Sequence, residues 1–243
     1  MIKTAILVDG GFYRKRAAHL WGKKTPVQRS NELYAYCMAH IRDRATEQEP
    51  SRSLYRIFYY DCPPAEKVLF HPLRQQNVDL GKQQTYKWTN DLFNELKSKR
   101  KVALRLGYLS ETFSGYQLSM SAVKELCSGK RTIKDLVDED FKIGFSQKGV
   151  DMKIGLDIAS LSYKKQVEQI VLISGDSDFV PAAKLARREG VDFILDPMWA
   201  KIRPDLYEHI DGLKSQWKPK IRETRQEEQG IIAESMVEYI SLE

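Results

Sequence analysis

Apolar residues fall into two rhythms along this chain. Short, nearly unbroken runs cover Ile2–Val8, Leu54–Asp61, Val102–Leu109, Ile170–Ile173 and Val191–Leu195. They are strand-length, rich in β-branched and aromatic residues, and bounded by Asp, Gly or Pro, so they predict buried strands. Between them apolar positions recur at i, i+3, i+4 and i+7, the mark of a helix with one buried face. Leu33, Tyr36, Cys37, His40 and Ile41 carry that spacing over about Ser30–Arg44, and Trp88, Leu92, Phe93 and Leu96 carry it again. Further helices are predicted over about Val150–Tyr163, over Phe179–Arg188 with Gly190 closing it, and over Pro204–Gln216. Strands alternating with helices predict an α/β fold, a central parallel β-sheet covered on both faces.

Two regions depart from this rhythm. Residues 110–148 mix short amphipathic pieces, "SAVKEL" and "TIKDLVDED", with an extended stretch, "FKIGFSQ". So long a connection inside a domain is expected to have structure or function of its own. After Pro219 the chain turns rich in Glu, Gln and Arg, with Ile232, Met236, Tyr239 and Ile240 at helical spacing. We therefore divide the chain into a domain over 1–217, with an insertion at about 110–145, and a charged tail over 218–243. The tail's spacing leaves two roles open, docking on the domain or pairing with a second copy to form a homo-oligomer.

Composition narrows the class only a little. The chain has 243 residues, enough for a sizeable core, and 39 basic against 33 acidic residues give a net charge of +6. That bias favours polyanionic partners without specifying one. Cys37, Cys62 and Cys127 are far apart and odd in number, which suggests buried free thiols rather than a zinc site or a disulfide framework. No apolar run approaches the ~18 residues of a membrane span, so a cytoplasmic location is the expectation.

The chemistry concentrates where strands end. Asp9 closes the first strand, and Asp176 and Asp178 follow the fourth in "SGDSDF". In a doubly wound sheet, ligands bind outside the carboxyl ends of the strands where strand order reverses. If the first and fourth strands are neighbours, three carboxylates crowd there, and their repulsion demands a cation. Oxygen ligands without His or Cys suit Mg²⁺ or Mn²⁺. A helix N-cap explains Asp178 alone and a turn explains Asp9 alone, but neither explains the set. The helix "KGVDMKIGLDIASLSY" adds Asp151 in its first turn and Asp157 within the apolar stripe formed by Val150, Ile154, Ile158 and Leu161. Either or both could supply the helix ligand. Ser174 and Ser177 flank the aspartate pair, as turn residues or as hydroxyls that orient carboxylates or meet phosphate.

With Asp9, "KGVD", Asp157 and "SGDSDF" together, the chain resembles the NYN-domain family of PIN-like metal-dependent ribonucleases over about residues 2–216. The block "KGVDMKIGLDIASLSY…QIVLISGDSDFVPAAKLARREG" carries the resemblance. It implies a three-layer sandwich with strand order 3-2-1-4-5 and a hydrolase of the endoribonuclease kind. It also implies Mg²⁺ or Mn²⁺ held by Asp9, Asp151, Asp176 and Asp178, with Asp157 a further acid. The implied products carry 5′-phosphate and 3′-hydroxyl ends. RNA is the expected substrate over DNA, although attack by water needs no 2′-hydroxyl. One position departs from the pattern: many relatives have Asn three residues after the first Asp, and here it is Phe12.

An acidic pocket repels phosphate, so basic residues must guide the strand in. Arg14, Lys15 and Arg16 follow Asp9, with Tyr13 and Trp21 as candidate stacking surfaces for bases. An ordinary amphipathic helix with a solvated basic face reads the same way. "KSKRK", Lys97–Lys101, reads as a helix C-terminus with favourable cations. Two rivals remain: a nucleic-acid-binding or regulatory module without turnover, and a phosphatase of the haloacid-dehalogenase kind. The second needs another aspartate two residues after the first, which "VDGGF" lacks.

Overall fold

The computed structural model describes residues 1–42, 51–110, 115–144 and 147–218. Its centre is a six-stranded sheet in which all pairings are parallel. The strands are β1 (Ile2–Asp9), β2 (Arg52–Asp61), β3 (Val102–Leu106), β4 (Gln169–Ile173), β5 (Asp192–Asp196) and β6 (Gly212–Leu213). They lie side by side as β3-β2-β1-β4-β5-β6, so the five longer strands take the 3-2-1-4-5 order implied by the resemblance. The sixth is a correction: the helix expected over Pro204–Gln216 shrinks to Pro204–Tyr207, and Gly212–Leu213 joins the sheet edge. "HIDGLK" is too short and polar a run to announce a strand by alternation.

Alternation along the central strands creates the three layers. Ile6 and Val8 of β1, with Ile57, Tyr59, Val171 and Ile173, pack against α1 (Gly10–Trp21), α2 (Pro26–Arg42) and α3 (Gln84–Lys97). Their neighbours Ala5, Leu7, Phe58, Tyr60, Ile170 and Leu172 face α5 (Val150–Tyr163) and α6 (Val180–Arg188) on the opposite side. All five residues that predicted α2 are buried, and Ile154, Ile158 and Leu161 of α5 are too. Burying both faces is why these strands read as continuous apolar runs. No helix among the described residues is long and apolar enough to cross a membrane.

The insertion has structure of its own. Tyr108–Leu109, expected to continue β3, instead pairs antiparallel with Gln147–Lys148. Gly115–Leu118 pairs with Phe141–Gly144, and α4 (Met120–Cys127) lies between those two strands in the chain. Arg131 fastens the intervening turns by bonding Asp140 and the carbonyl of Asp135. A hairpin of Val68–His71 with Gln76–Asp79, not signalled by any turn pair in the sequence, packs beside it, His71 lying against the Tyr116 and Phe141 rings. Two of the three thiols are buried; Cys127, expected to be, is exposed on α4. The tail lies outside the described residues.

Candidate active site

Because β1 lies between β2 and β4, the chain winds outward on one side, returns, and reverses direction between β1 and β4. The crevice expected of such sheets therefore opens where Asp9 meets the loop 174–178. Val8 pairs with Ile173, so the two strands end level with each other.

Local geometry explains "DGG". Asp9 accepts the Phe12 backbone N–H at 3.0 Å and so caps α1. A side chain at Gly10 would meet the Tyr59 ring and the Tyr60 carbonyl at 2.6 Å, so only glycine lets α1 start this close to β2. Ser174, fully buried, donates to Asp9 at 3.2 Å and accepts the Asp176 N–H at 3.3 Å, which fixes the acidic loop to the first strand. Asp176 in turn accepts the Asp178 N–H at 3.0 Å. Capping of the short turn before α6 thus belongs to Asp176, and Asp178 caps nothing. Phe12 packs on the same loop: a Cβ on Gly175 would lie 3.0 Å from its ring. Asp151 enters from α5, whose N-cap Gly149 sits at φ +80°, a left-handed turn that brings the helix start to the crevice.

Electrostatics tie these acids together. Burial pushes the Asp9 carboxyl above the ordinary range, and the charges of Asp151 and Asp61 push it further. Burial and then the charges of Asp176 and Asp178 raise Asp151. Asp151 and Asp178 have no hydrogen-bond donor or ion-pair partner among the described residues. Asp151 thus links Asp9 on one side of the crevice with Asp176 and Asp178 on the other.

Asp157 is not part of that group. Tyr60 donates to it at 2.8 Å and Arg105 Nε at 3.1 Å, so its buried side is matched by dedicated partners. The charge on the apolar stripe is neutralised by a strand residue, which helical phase alone does not reveal. Asp61 is the acid the sequence reading passed over. It ends β2 beside Asp9 and is 1 % exposed, and it accepts from Arg14 Nη2 (2.9 Å), Tyr59 (3.1 Å) and the Cys62 N–H (2.8 Å). Its signal was the same as that of Asp9, an aspartate closing an apolar strand.

The basic residues divide by partner. Arg14 is held by Asp61, and its buried Nε–H has no acceptor. Such a group costs about 1–3 kcal/mol in a folded protein and calls for an explanation. Arg16, expected to meet nucleic acid, gives both Nε and Nη2 to the Met198 carbonyl and holds the loop after β5. Lys15 is exposed on α1. Ser177 is half-buried in the turn between the two aspartates. The stacking surfaces fail: Tyr13 is fully buried and donates to Glu32, and Trp21 packs on Tyr36 and Trp217.

A PIN-like α/β sandwich with carboxylates converging at its switch point defines a class of nuclease domain. Residues 69–202, more than half the chain, match the family model of the NYN domain, and the chain belongs to that family. NYN domains are PIN-like nuclease domains. The matched segment contains Asp151, Asp176 and Asp178; Asp9 precedes it and joins the group through the β1–β4 pairing. No curated protein matches. Among solved structures, a protein of unknown function from Vibrio parahaemolyticus is similar at 13% identity, covering 89% of this chain and 94% of that one, with a TM-score of 0.42. That likeness is too slight to add to the argument.

Proposed function

We propose that this chain hydrolyses phosphodiester bonds in single-stranded RNA with the help of Mg²⁺ or Mn²⁺. The carrying observation is the aspartate group: burial and the Asp151 charge raise Asp9, burial and the charges of Asp176 and Asp178 raise Asp151, and Asp151 and Asp178 lack any donor among the described residues to offset their charge. A fold tolerates such a group when a cation neutralises it.

The donor chemistry fits a hard divalent ion: carboxylates only, with Ser174 holding Asp9 in place. Their spacing limits the form of that fit. Among the described residues, no three His, Cys, Asp or Glu side chains stand close enough to share one ion. This suits Mg²⁺, which keeps several waters and is commonly held by one or two carboxylates together with substrate phosphate. Asp9, Asp151, Asp176 and Asp178 are the candidate ligands, and at the spacing seen here one or two of them would hold it with water and phosphate completing its shell. When bound, the ion supplies positive charge that activates water and steadies the phosphate. Asp9 is positioned by two hydrogen bonds and stays ionised only above its raised pKa. The Ser174–Asp9 bond ties the ends of β1 and β4 together, and the Ser174–Asp176 bond shapes the loop beyond them. Lys15, one turn into α1, is the exposed cation among the three expected to guide the strand.

A binding module without turnover is the rival, and Phe12 is the observation that favours it: an apolar ring stands where relatives place an amide. The test uses purified protein with labelled single-stranded RNA and DNA, in Mn²⁺, Mg²⁺ or EDTA, beside Asp176→Asn. Cutting of RNA that needs metal and disappears in the variant is the expected result. Cutting that persists in EDTA, or in the variant at the wild-type rate, removes the mechanism, and binding without cutting in every metal establishes the rival.

A further inference from the structure

Next to the acidic crevice lies a cavity of about 280 Å³ whose lining includes Arg14, Pro63, Leu80, Gln83, Leu109 and Ile143. Three independent parts of the chain build it. Arg14 comes from α1, Gln83 stands at the start of α3, and Leu109 and Ile143 belong to the two hairpins of the insertion. It shares a wall with the acids. Cys62, also in the lining, is raised by burial and by the charges of Asp61 and Asp151, and Arg14 reaches across to Asp61.

We propose that this cavity receives one unstacked nucleobase of a single-stranded nucleic acid, beside the phosphate held at the crevice. The placement of that phosphate rests on the nuclease reading; the base site itself does not. Volume sets the size of the occupant, since the cavity is at or below the small end of the roughly 300–1,000 Å³ that drug-sized ligands take. One base fits and a base pair does not, so the site selects unpaired strands. Proline, leucine and isoleucine surfaces supply flat apolar contact for the base faces. Polar groups stand ready for its edge. Arg14 contributes its guanidinium group to the lining, and the Gln83 side chain makes no cap bond to α3 although it occupies the cap position. The insertion that departs from the domain's rhythm acquires a purpose, because it furnishes the outer wall.

The full-length protein tests this with fluorescein-labelled pentanucleotide RNA in EDTA, read by anisotropy, and with the same RNA in Mn²⁺, read for cleavage. Leu109→Trp fills the cavity, and Gln83→Ala removes an edge contact while leaving the apolar walls in place; melting temperature checks that each is folded. We expect Leu109→Trp to weaken binding at least 5-fold and Gln83→Ala about 2-fold. Replacing one nucleotide by an abasic residue should weaken wild-type binding by a similar factor and leave Leu109→Trp unaffected. An abasic penalty that survives unchanged in both variants, or variants that bind as the wild type does, overturns the base site. If the wild type cuts RNA and Leu109→Trp cuts it with the same KM, the nuclease reading stands and the base site falls. Cavity-dependent binding with no cutting in any metal leaves the base site and removes the nuclease. A wild type that neither binds nor cuts removes both.

Discussion

Asp196 ends β5 and Asp176 lies in the loop just beyond the neighbouring β4, at the same edge of the sheet, yet their surroundings are opposite. Asp196 ends β5 with no exposure at all. It accepts from Tyr36 at 2.6 Å, His40 at 2.8 Å and the Met198 N–H at 2.7 Å. Asp61, at the end of β2, is likewise buried and fully engaged. Asp176 and Asp178 are exposed, and Asp178 and Asp151 accept nothing from the described residues. The residue type and the place in the fold are the same; the inventory of donors differs. A carboxylate with three donors is part of the scaffold, and one facing only other carboxylates is available for an ion.

Substitutions at each kind of aspartate test that division. The largest effect belongs to the open group: Asp176→Asn should lower the RNA cleavage rate by more than about 100-fold, beyond the loss from disturbing outer-shell partners. Its melting temperature should barely move, because Asn still caps the turn. A variant that cleaves normally would erase the distinction. Asp196→Ala should behave in reverse. It strands a tyrosine hydroxyl, a histidine ring and a backbone N–H in the core, costing on the order of 3 kcal/mol. At about 2–4 °C per kcal/mol for a domain of this size, unfolding should fall by roughly 6–12 °C. Circular dichroism measures it.

The pH dependence sharpens the comparison further. Asp9 holds its proton more tightly folded than unfolded, so its protonation supports the fold below the unfolded value near ~3.9. That support is lost as pH rises through the raised folded value, and the ionised group burdens the fold at neutrality. Asp9→Asn, which keeps the α1 cap, should therefore melt higher than the wild type at pH 7 and match it at the acid end. In carbon NMR titrations the Asp9 midpoint should drop in Asp151→Asn, since that charge helps raise it. The smallest effect is expected at Asp157. Its pair with Arg105 is partly solvated and worth under about 1 kcal/mol, so Arg105→Ala should change cleavage less than about 2-fold.

Much of this was readable in the sequence, for a physical reason. Strands buried on both faces leave long apolar runs, and the aspartates that stop three of them, Asp9, Asp61 and Asp196, mark the edge where the site forms. The 3-2-1-4-5 order was implied by resemblance rather than periodicity, and the β1–β4 pairing at its centre is what joins Asp9 to "GDSD". Elements that escaped were short or polar, such as the hairpin at Val68–Asp79 and the edge strand Gly212–Leu213. Partnerships escaped as well. Whether an aspartate is spoken for depends on Arg14 meeting Asp61 across 47 positions, or Arg105 meeting Asp157 across 52, and no local pattern carries that. Tyr13 and Trp21 looked free because aromatic residues beside lysines suit a binding surface equally well as an amphipathic helix.

The meeting of Phe12 with Gly175 has a further consequence. Gly175 does not adopt a left-handed backbone, so the only barrier to alanine there is the phenyl ring 3.0 Å away. The two positions are therefore coupled: a side chain at Gly175 requires the Phe12 ring to give by a few tenths of an ångström. A smaller side chain at position 12 would leave room at position 175, whereas the phenyl ring fills that space and presses the acidic loop against the opening helix.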